Sequence, residues 1–204
     1  MNFTGKYKGA DKDISVGKDG EIHVVPKHGI HGASVLSGRV YAGSTAVAGV
    51  APGTAIGTTG AYTLANPAGS GAHLVVLQAS MGYVSGTLGA GMVVYAGNVN
   101  PIAAAVTGTV ITVTNQLLGG ARADGQGLAF TTSTLPVAPT VIRPAWNLDA
   151  SLATTAGIGY FPSVDYIDGA ICVAPGGALT LNGISAAGAT PLVIFGTVWE
   201  EVDI

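Results

Sequence analysis

The residues with the most obvious chemical potential are the histidines. His28-x-x-His31 has the spacing of a ligand pair, with His23 upstream and His73 far along the chain. A zinc site needs three or four ligands converging at about 2.0–2.3 Å. The two histidines sit in the run HGIHG, with no carboxylate or thiol at helical spacing. They read as polar groups of a glycine-rich segment, bonded to backbone or water. Asp165-Tyr166-Ile167-Asp168 offers two carboxylates. Residues three apart on a strand point to opposite faces, whereas a glycosidase pair must flank one bond. We expect Asp168-Gly169 to form a turn and Asp165 to be a surface acid. Glu200-Glu201-Val202-Asp203 reads as the end of a last strand, with Trp199 inward and the acids at the rim. Cys172, the single cysteine, lies in the apolar run AICVA and reads as an inert core residue. Ser34, Ser70 and Ser185 lack the G-x-S-x-G frame. Gly119-Gly120-Ala121-Arg122 lacks the Lys-Ser/Thr of a phosphate loop. The sequence therefore predicts no catalytic, cofactor-binding or metal-binding residues, and a protein that is not an enzyme.

The elements around these residues are unusual in charge. Val40–Ala121 contains no Asp, Glu, Lys or Arg, and charged residues are 9% of the 204, against about 25% in an average soluble protein. A span of this kind implies a surface covered by the rest of the chain or by another copy. Mean hydropathy is +0.50. Every apolar run is nevertheless broken well before the roughly 18 residues of a spanning helix, and no aromatic girdles mark a membrane barrel. We expect no membrane partner. The formal net charge of −3 gives no electrostatic case for nucleic acid. The start Met1–Lys6 lacks an apolar core, so no secretory signal is expected, and a lone cysteine suits folding in a cytoplasm.

Residues 1–36 read as an extended N-terminal arm. Lys6, Lys8, Lys12, Lys18 and Lys27 alternate there with Asp11, Asp13, Asp19 and Glu21, punctuated by glycines. One short strand, Glu21–Val25, is stopped by Pro26. The arm has the character of a segment that reaches over a neighbouring subunit. Residues 37–204 read as one β-sandwich domain. Strands are expected at Arg39–Tyr41 continuing through Ala46–Val50, then at Ala61–Ala65, His73–Val84, Met92–Tyr95 and Val106–Thr114. Others are expected at Leu128–Thr132, Pro139–Ile142 (ended by Arg143-Pro144), Ala170–Val173, Ala178–Leu181 and Pro191–Val202. Turns fall at Pro52-Gly53, Pro175-Gly176-Gly177 and Asn182-Gly183, and Trp146–Thr155 is the one expected short helix. Short strands with turn signals every 8–12 residues argue for an all-β fold, a jelly roll of two packed antiparallel sheets. Small Gly, Ala and Thr side chains bury little area each, so a homo-oligomer is the economical state.

The run Tyr166–Val202, YIDGAICVAPGGALTLNGISAAGATPLVIFGTVWEEV, resembles the end of small jelly-roll virion proteins of tailed bacteriophages. In these a Pro-Gly-Gly turn joins two strands and the last strand ends in Trp-Glu-Glu. The resemblance covers the last fifth of the chain. It implies a capsid decoration or cement protein, typically a homotrimer. Such a protein binds the major capsid protein across capsomers in the virion, after assembly in the host bacterial cytoplasm. It implies no catalytic residues. Two other roles fit the same pattern: a receptor- or glycan-binding jelly roll of a tail or fibre, using Trp146, Tyr160 and Phe161 in loops, and a single-jelly-roll capsid protein.

Overall fold

The structure is a computed structural model that describes the backbone of residues 4–7 and 10–13, and residues 29–120, 125–148 and 163–204. The chain divides into two compact units, 1–33 and 34–204. In the first, β1 (Thr4–Tyr7) pairs antiparallel with β2 (Ala10–Asp13), Tyr7 opposite Ala10. This hairpin was not anticipated from sequence. The strand expected at Glu21–Val25 lies outside the described residues. A short helix, α1 (Gly32–Leu36), precedes the body.

Among the described residues the body contains eleven strands: β3 (Val40–Ser44), β4 (Thr59–Ala65), β5 (Ala72–Thr87), β6 (Gly91–Gly97), β7 (Thr107–Ile111), β8 (Thr114–Asn115), β9 (Leu128–Thr134), β10 (Thr140–Leu148), β11 (Ser163–Val173), β12 (Ala178–Ser185) and β13 (Ala189–Asp203). They form two antiparallel sheets, ordered β10-β6-β12-β4-β9-β7 and β11-β5-β13-β3-β8. The pairing is nested. β3 pairs with β13, β4 with β12, β5 with β11, β6 with β10 and β7 with β9. The strands of the body thus pair as the two arms of a nested ribbon that meet near β8. Further pairs, β5 with β13, β6 with β12, β4 with β9 and β3 with β8, close the sheets.

The sheets pack face to face as a β-sandwich, as the period-two patterns require. Tyr62, Leu64, Val93, Tyr95, Leu179 and Leu181 of the six-stranded sheet meet Tyr41, Leu74, Val76, Val193, Phe195 and Trp199 of the five-stranded one. The Tyr62 hydroxyl crosses the core, donating to the Gly43 carbonyl (3.2 Å) and sharing a bond with Thr197 Oγ1 (2.6 Å).

The other face of the six-stranded sheet is covered too. Ala65, Val106, Phe130, Leu135 and Ala178 form a second cluster, with Ile102 against it. Thr63 Oγ1 bonds Ser133 Oγ (2.7 Å) and Thr180 Oγ1 (3.1 Å), all buried. The connections 51–58 and 98–106 supply much of this cover: Asn182 Nδ2 donates to the Ala55 carbonyl at 2.8 Å, and Ile102 N–H to the Gly176 carbonyl at 2.8 Å. β4, β6 and β12 are therefore buried on both faces, which is why they read as near-continuous uncharged runs. Part of the charge-free span is explained inside the chain itself.

Four local expectations are corrected. β10 runs through Arg143-Pro144, with Pro144 opposite Val94. It is a sheet edge, where a missing N–H costs no ladder bond, and register shifts flank the proline. Trp146–Leu148 is strand, not helix, because Trp146 pairs with Val93 and packs on Tyr95; residues 149–155 lie outside the described residues. Val106–Thr114 is not one strand: β7 ends at Ile111 and β8 joins the opposite sheet. Asn182-Gly183 is not a turn. β12 continues to Ser185, since the Asn182 side chain is buried and accepts from Ala61 N–H at 3.0 Å.

Candidate functional surface

The chemically capable residues are dispersed. His23 and His28 lie outside the described residues. His31 belongs to the N-terminal unit, and His73 lies on β5. Among the described residues no three His, Cys, Asp or Glu side chains come together as metal ligands. Asp168 and Gly169, at φ 47° and 86°, form a bulge inside β11 between Tyr166 and Ile171 rather than a chain-reversing turn. Cys172 is exposed, not core: period two turns it away from buried Val173, and burial by its neighbours pushes the thiol pKa up, away from nucleophilic thiolate.

Asp165, Glu200 and Glu201 serve as internal fasteners. Asp165 points between the sheets rather than to solvent alone. Its Oδ2 accepts from the Tyr95 hydroxyl and from Arg143, each at 2.9 Å. The Arg143 guanidinium lies over the Tyr95 ring (5.0 Å), and Trp146 packs on the same ring at 6.0 Å. This cluster ties β6 and β10 of one sheet to β11 of the other. Glu200 pairs with Arg39 at 2.9 Å. Glu201, expected at the rim, is buried. It accepts from the N–H groups of Gln126 and Gly127 (2.9 Å each) and from Trp199 Nε1 (3.3 Å). Trp199 itself is fully buried and stacks on Tyr41. Of the aromatic residues that could form a glycan platform, Tyr160 and Phe161 lie outside the described residues and Trp146 is half-buried.

The two bridging tyrosines impose an alkaline limit on stability. Burial pushes the Tyr62 pKa well above its ordinary value. The Tyr95 pKa also rises, through burial first and then the bond to Asp165 and its charge, with Arg143 opposing. An unfolded tyrosine ionises near about 10. Above that pH the native state holds protons that the unfolded state has lost, so stability is fully present below about pH 10 and falls as pH rises further. The slope is at most about 1.4 kcal/mol per pH unit for each tyrosine. In a Cys172→Ser background, which removes the titration of the thiol (at about pH 8.5 in an unfolded chain), urea midpoints measured from pH 8 to 11 are expected to stay level to about pH 9.5 and then drop. Tyr62→Phe is expected to lower the neutral-pH value by about 1–2 kcal/mol and to reduce the alkaline slope by about half. A slope unchanged by Tyr62→Phe would remove Tyr62 from the account.

What remains is a surface. On the five-stranded sheet, Leu74, Val76, Ala79, Phe195, Thr197 and Trp199 face the core. A register shift between Val198 and Trp199 inverts the alternation of β5 between Val76 and Ala79, so the neighbours of Ala79, Phe195 and Thr197 face outward. Their rows are Val164–Ser80–Gly196–Ser44 and Tyr166–Gln78–Val198–Ala42. The rows carry no charge, and the first charged pair on this face is Glu200 with Arg39. A shallow groove of about 280 Å³, lined by Ser44, Ser80, Thr112, Thr114, Gly196 and Val198, runs along the β3–β8 margin. Tyr166 (72% exposed) and Val164 (41%) stand at the β11 margin. Sequence reasoning detected the charge-poor composition but not this face, because only the strand order assembles it. Compared with protein-family models, curated proteins and solved structures, the chain matches none.

Proposed function

We propose that this chain is a structural protein of a bacteriophage virion, a jelly-roll cement or decoration protein. It self-associates through its body and stabilises a shell by binding the major capsid protein across capsomers. The nested ribbon of β3–β13 through β7–β9 supports the jelly-roll reading. β4, β12, β6 and β10 lie side by side with strands distant in sequence between near ones, while the β7–β9 pair extends that same sheet.

The observation that carries the functional reading is the segregation of charge. Every lysine of the chain lies between Lys6 and Lys27, and none lies in the body. Asp165, Glu200 and Glu201 are spent on fastening the body, while the two central rows of one broad sheet face carry no charge. A body with such uncharged rows is built to be covered, and an N-terminal segment in which lysines alternate with acids suits docking on a larger lattice of mixed charge. The work done is mechanical: buried area added at capsomer junctions opposes internal pressure.

The test is shell stability. Shells lacking this protein are expected to open at lower temperature and at higher ionic strength than complete shells, and adding the purified chain is expected to restore them. Shells equally resistant with and without it would overturn the reading.

A further inference from the structure

We propose that the outer face of the five-stranded sheet is the docking surface for a second copy of this chain. In that contact Tyr166 of one copy enters the hydroxyl-lined groove at the β3–β8 margin of the other. The inference rests on the assembly reading above and names its interface.

Four observations select this face. First, the sheet edges are blunted. β10 carries Arg143-Pro144 and two register shifts, β11 carries the Asp168-Gly169 bulge, β7 is shifted between Thr107 and Thr109, and β8 is two residues long. Such edges resist strand addition from another chain, so contact falls to a face. Second, the outer face of the six-stranded sheet is already covered over its central strands β4, β6 and β12 by the chain's own connections and the cluster around Phe130 and Val106, leaving only its margins open. Third, the area suffices. β11, β5, β13 and β3 average about 12 residues. At about 3.3 Å per residue and about 4.8 Å between strands they span roughly 750 Å², close to the ~800 Å² per partner of a standard interface.

Fourth, the charge pattern fits a copy better than a foreign chain. A surface that meets itself about a two-fold axis sets charges near that axis against their own like. This face avoids that cost along both central rows, and Glu200 beyond them is paired within the chain with Arg39. A foreign partner would leave charge complementarity open as a means of selection, and the face makes no use of it. The knob stands on β11 at one margin, and the groove starts at β8 on the other and reaches across β3 and β13 to Ser80 of β5. Two copies turned about an axis along the strands place each knob over the other's groove, and a head-to-tail ring uses the same contact once per copy. Tyr166 is the type of residue that anchors interfaces, a broad apolar ring with one polar tip, and Ser44, Thr112 and Thr114 offer that tip hydroxyl partners.

The experiment is sedimentation of the full chain across micromolar concentrations, beside Tyr166→Glu and Val198→Lys, with circular dichroism confirming that each variant is folded. The wild type is expected to associate, and each variant to dissociate at concentrations at least 10-fold higher. In a Cys172→Ser background, Tyr166→Cys combined with Thr114→Cys is expected to give disulfide-linked copies. These positions lie on β11 and β8, at the two ends of the sheet order, too far apart to bridge within one chain. A wild type that stays monomeric, or folded variants that associate as tightly as wild type, would overturn the inference. Shell binding separates this from the reading it rests on. Variants that lose association beside a wild type that never binds shells leave the interface standing and sink the virion role. Variants that associate unchanged beside a wild type that binds shells do the reverse.

Discussion

Replacing Glu201 by alanine is expected to lower the unfolding free energy by about 3 kcal/mol, read from urea denaturation at pH 7. The carboxylate takes three donors: the backbone N–H groups of Gln126 and Gly127, and the indole N–H of Trp199. The Gly127 bond and the Trp199 bond are buried. Each buried donor left without a partner costs about 1–3 kcal/mol, and bonds to an ionised acceptor sit at the upper end. Alanine provides no replacement acceptor, and water reaches a fully buried indole poorly. Glu201→Gln is expected to cost about half as much. Its one carbonyl oxygen keeps part of the set, while its NH₂ turns a donor toward a donor. Glu200→Ala is the internal control. Its pair with Arg39 is partly solvent-exposed, and such pairs are worth at most about 1 kcal/mol. If Glu201→Ala and Glu200→Ala cost the same, Glu201 is not the anchor of the 125–127 segment. Hydrogen exchange gives a second measure: the amides of Gln126 and Gly127 are expected to lose protection in Glu201→Ala while those of β4 and β12 keep it.

Glu201 also shows where the sequence could have said more. The strand Pro191–Val202 and its inward Trp199 were both legible, and a period of two then places residue 201 on the same inward face as residue 199. The acidic run drew attention to charge and away from alternation. Elsewhere the missing information was tertiary. Asn182-Gly183 has the composition of a tight turn, yet β12 lies between β6 and β4, and a buried Asn side chain serving Ala61 and Ala55 outweighs a local preference. Pro144 reads as a terminator unless β10 is known to be an edge. Val106–Thr114 has strand propensity throughout, and nothing local marks Ile111 as the point where the chain leaves one sheet for the other. The all-β sandwich itself was legible because regular turn signals and β-branched runs are local. The uncharged face was half legible: its composition was on view, but the rows joining Ser80, Gly196 and Ser44 exist only through pairings of strands more than a hundred residues apart.

Gly89→Ala is expected to be more damaging than any single surface change, at about 3 kcal/mol or more. For a domain of this size that is a fall in Tm of roughly 6–12 °C. The turn after β5 and the connection between β12 and β13 lie directly against each other, with Ala186 N–H donating to the Ala90 carbonyl at 3.1 Å. A methyl group on Gly89 would collide with the Ala186 carbonyl, one on Gly188 with the Thr87 carbonyl, and one on Gly86 with the Thr190 carbonyl. These are backbone atoms and cannot swing aside as a side chain would. Relief requires the two turns to separate, which opens the end of the β5–β13 ladder where Ala189 opposes Thr87. Gly82→Ala is the contrast. It lies on the outer row of β5 with nothing within 4 Å of the added carbon, so it is expected to leave Tm unchanged or slightly raised, since Ala gives up less backbone freedom than Gly on folding. Equal Tm values for the two variants would mean that the turns are not interlocked. The outer face of the five-stranded sheet would then lack a fixed far end, because β5 and β13, its two longest strands, would be held in register only by their own ladder.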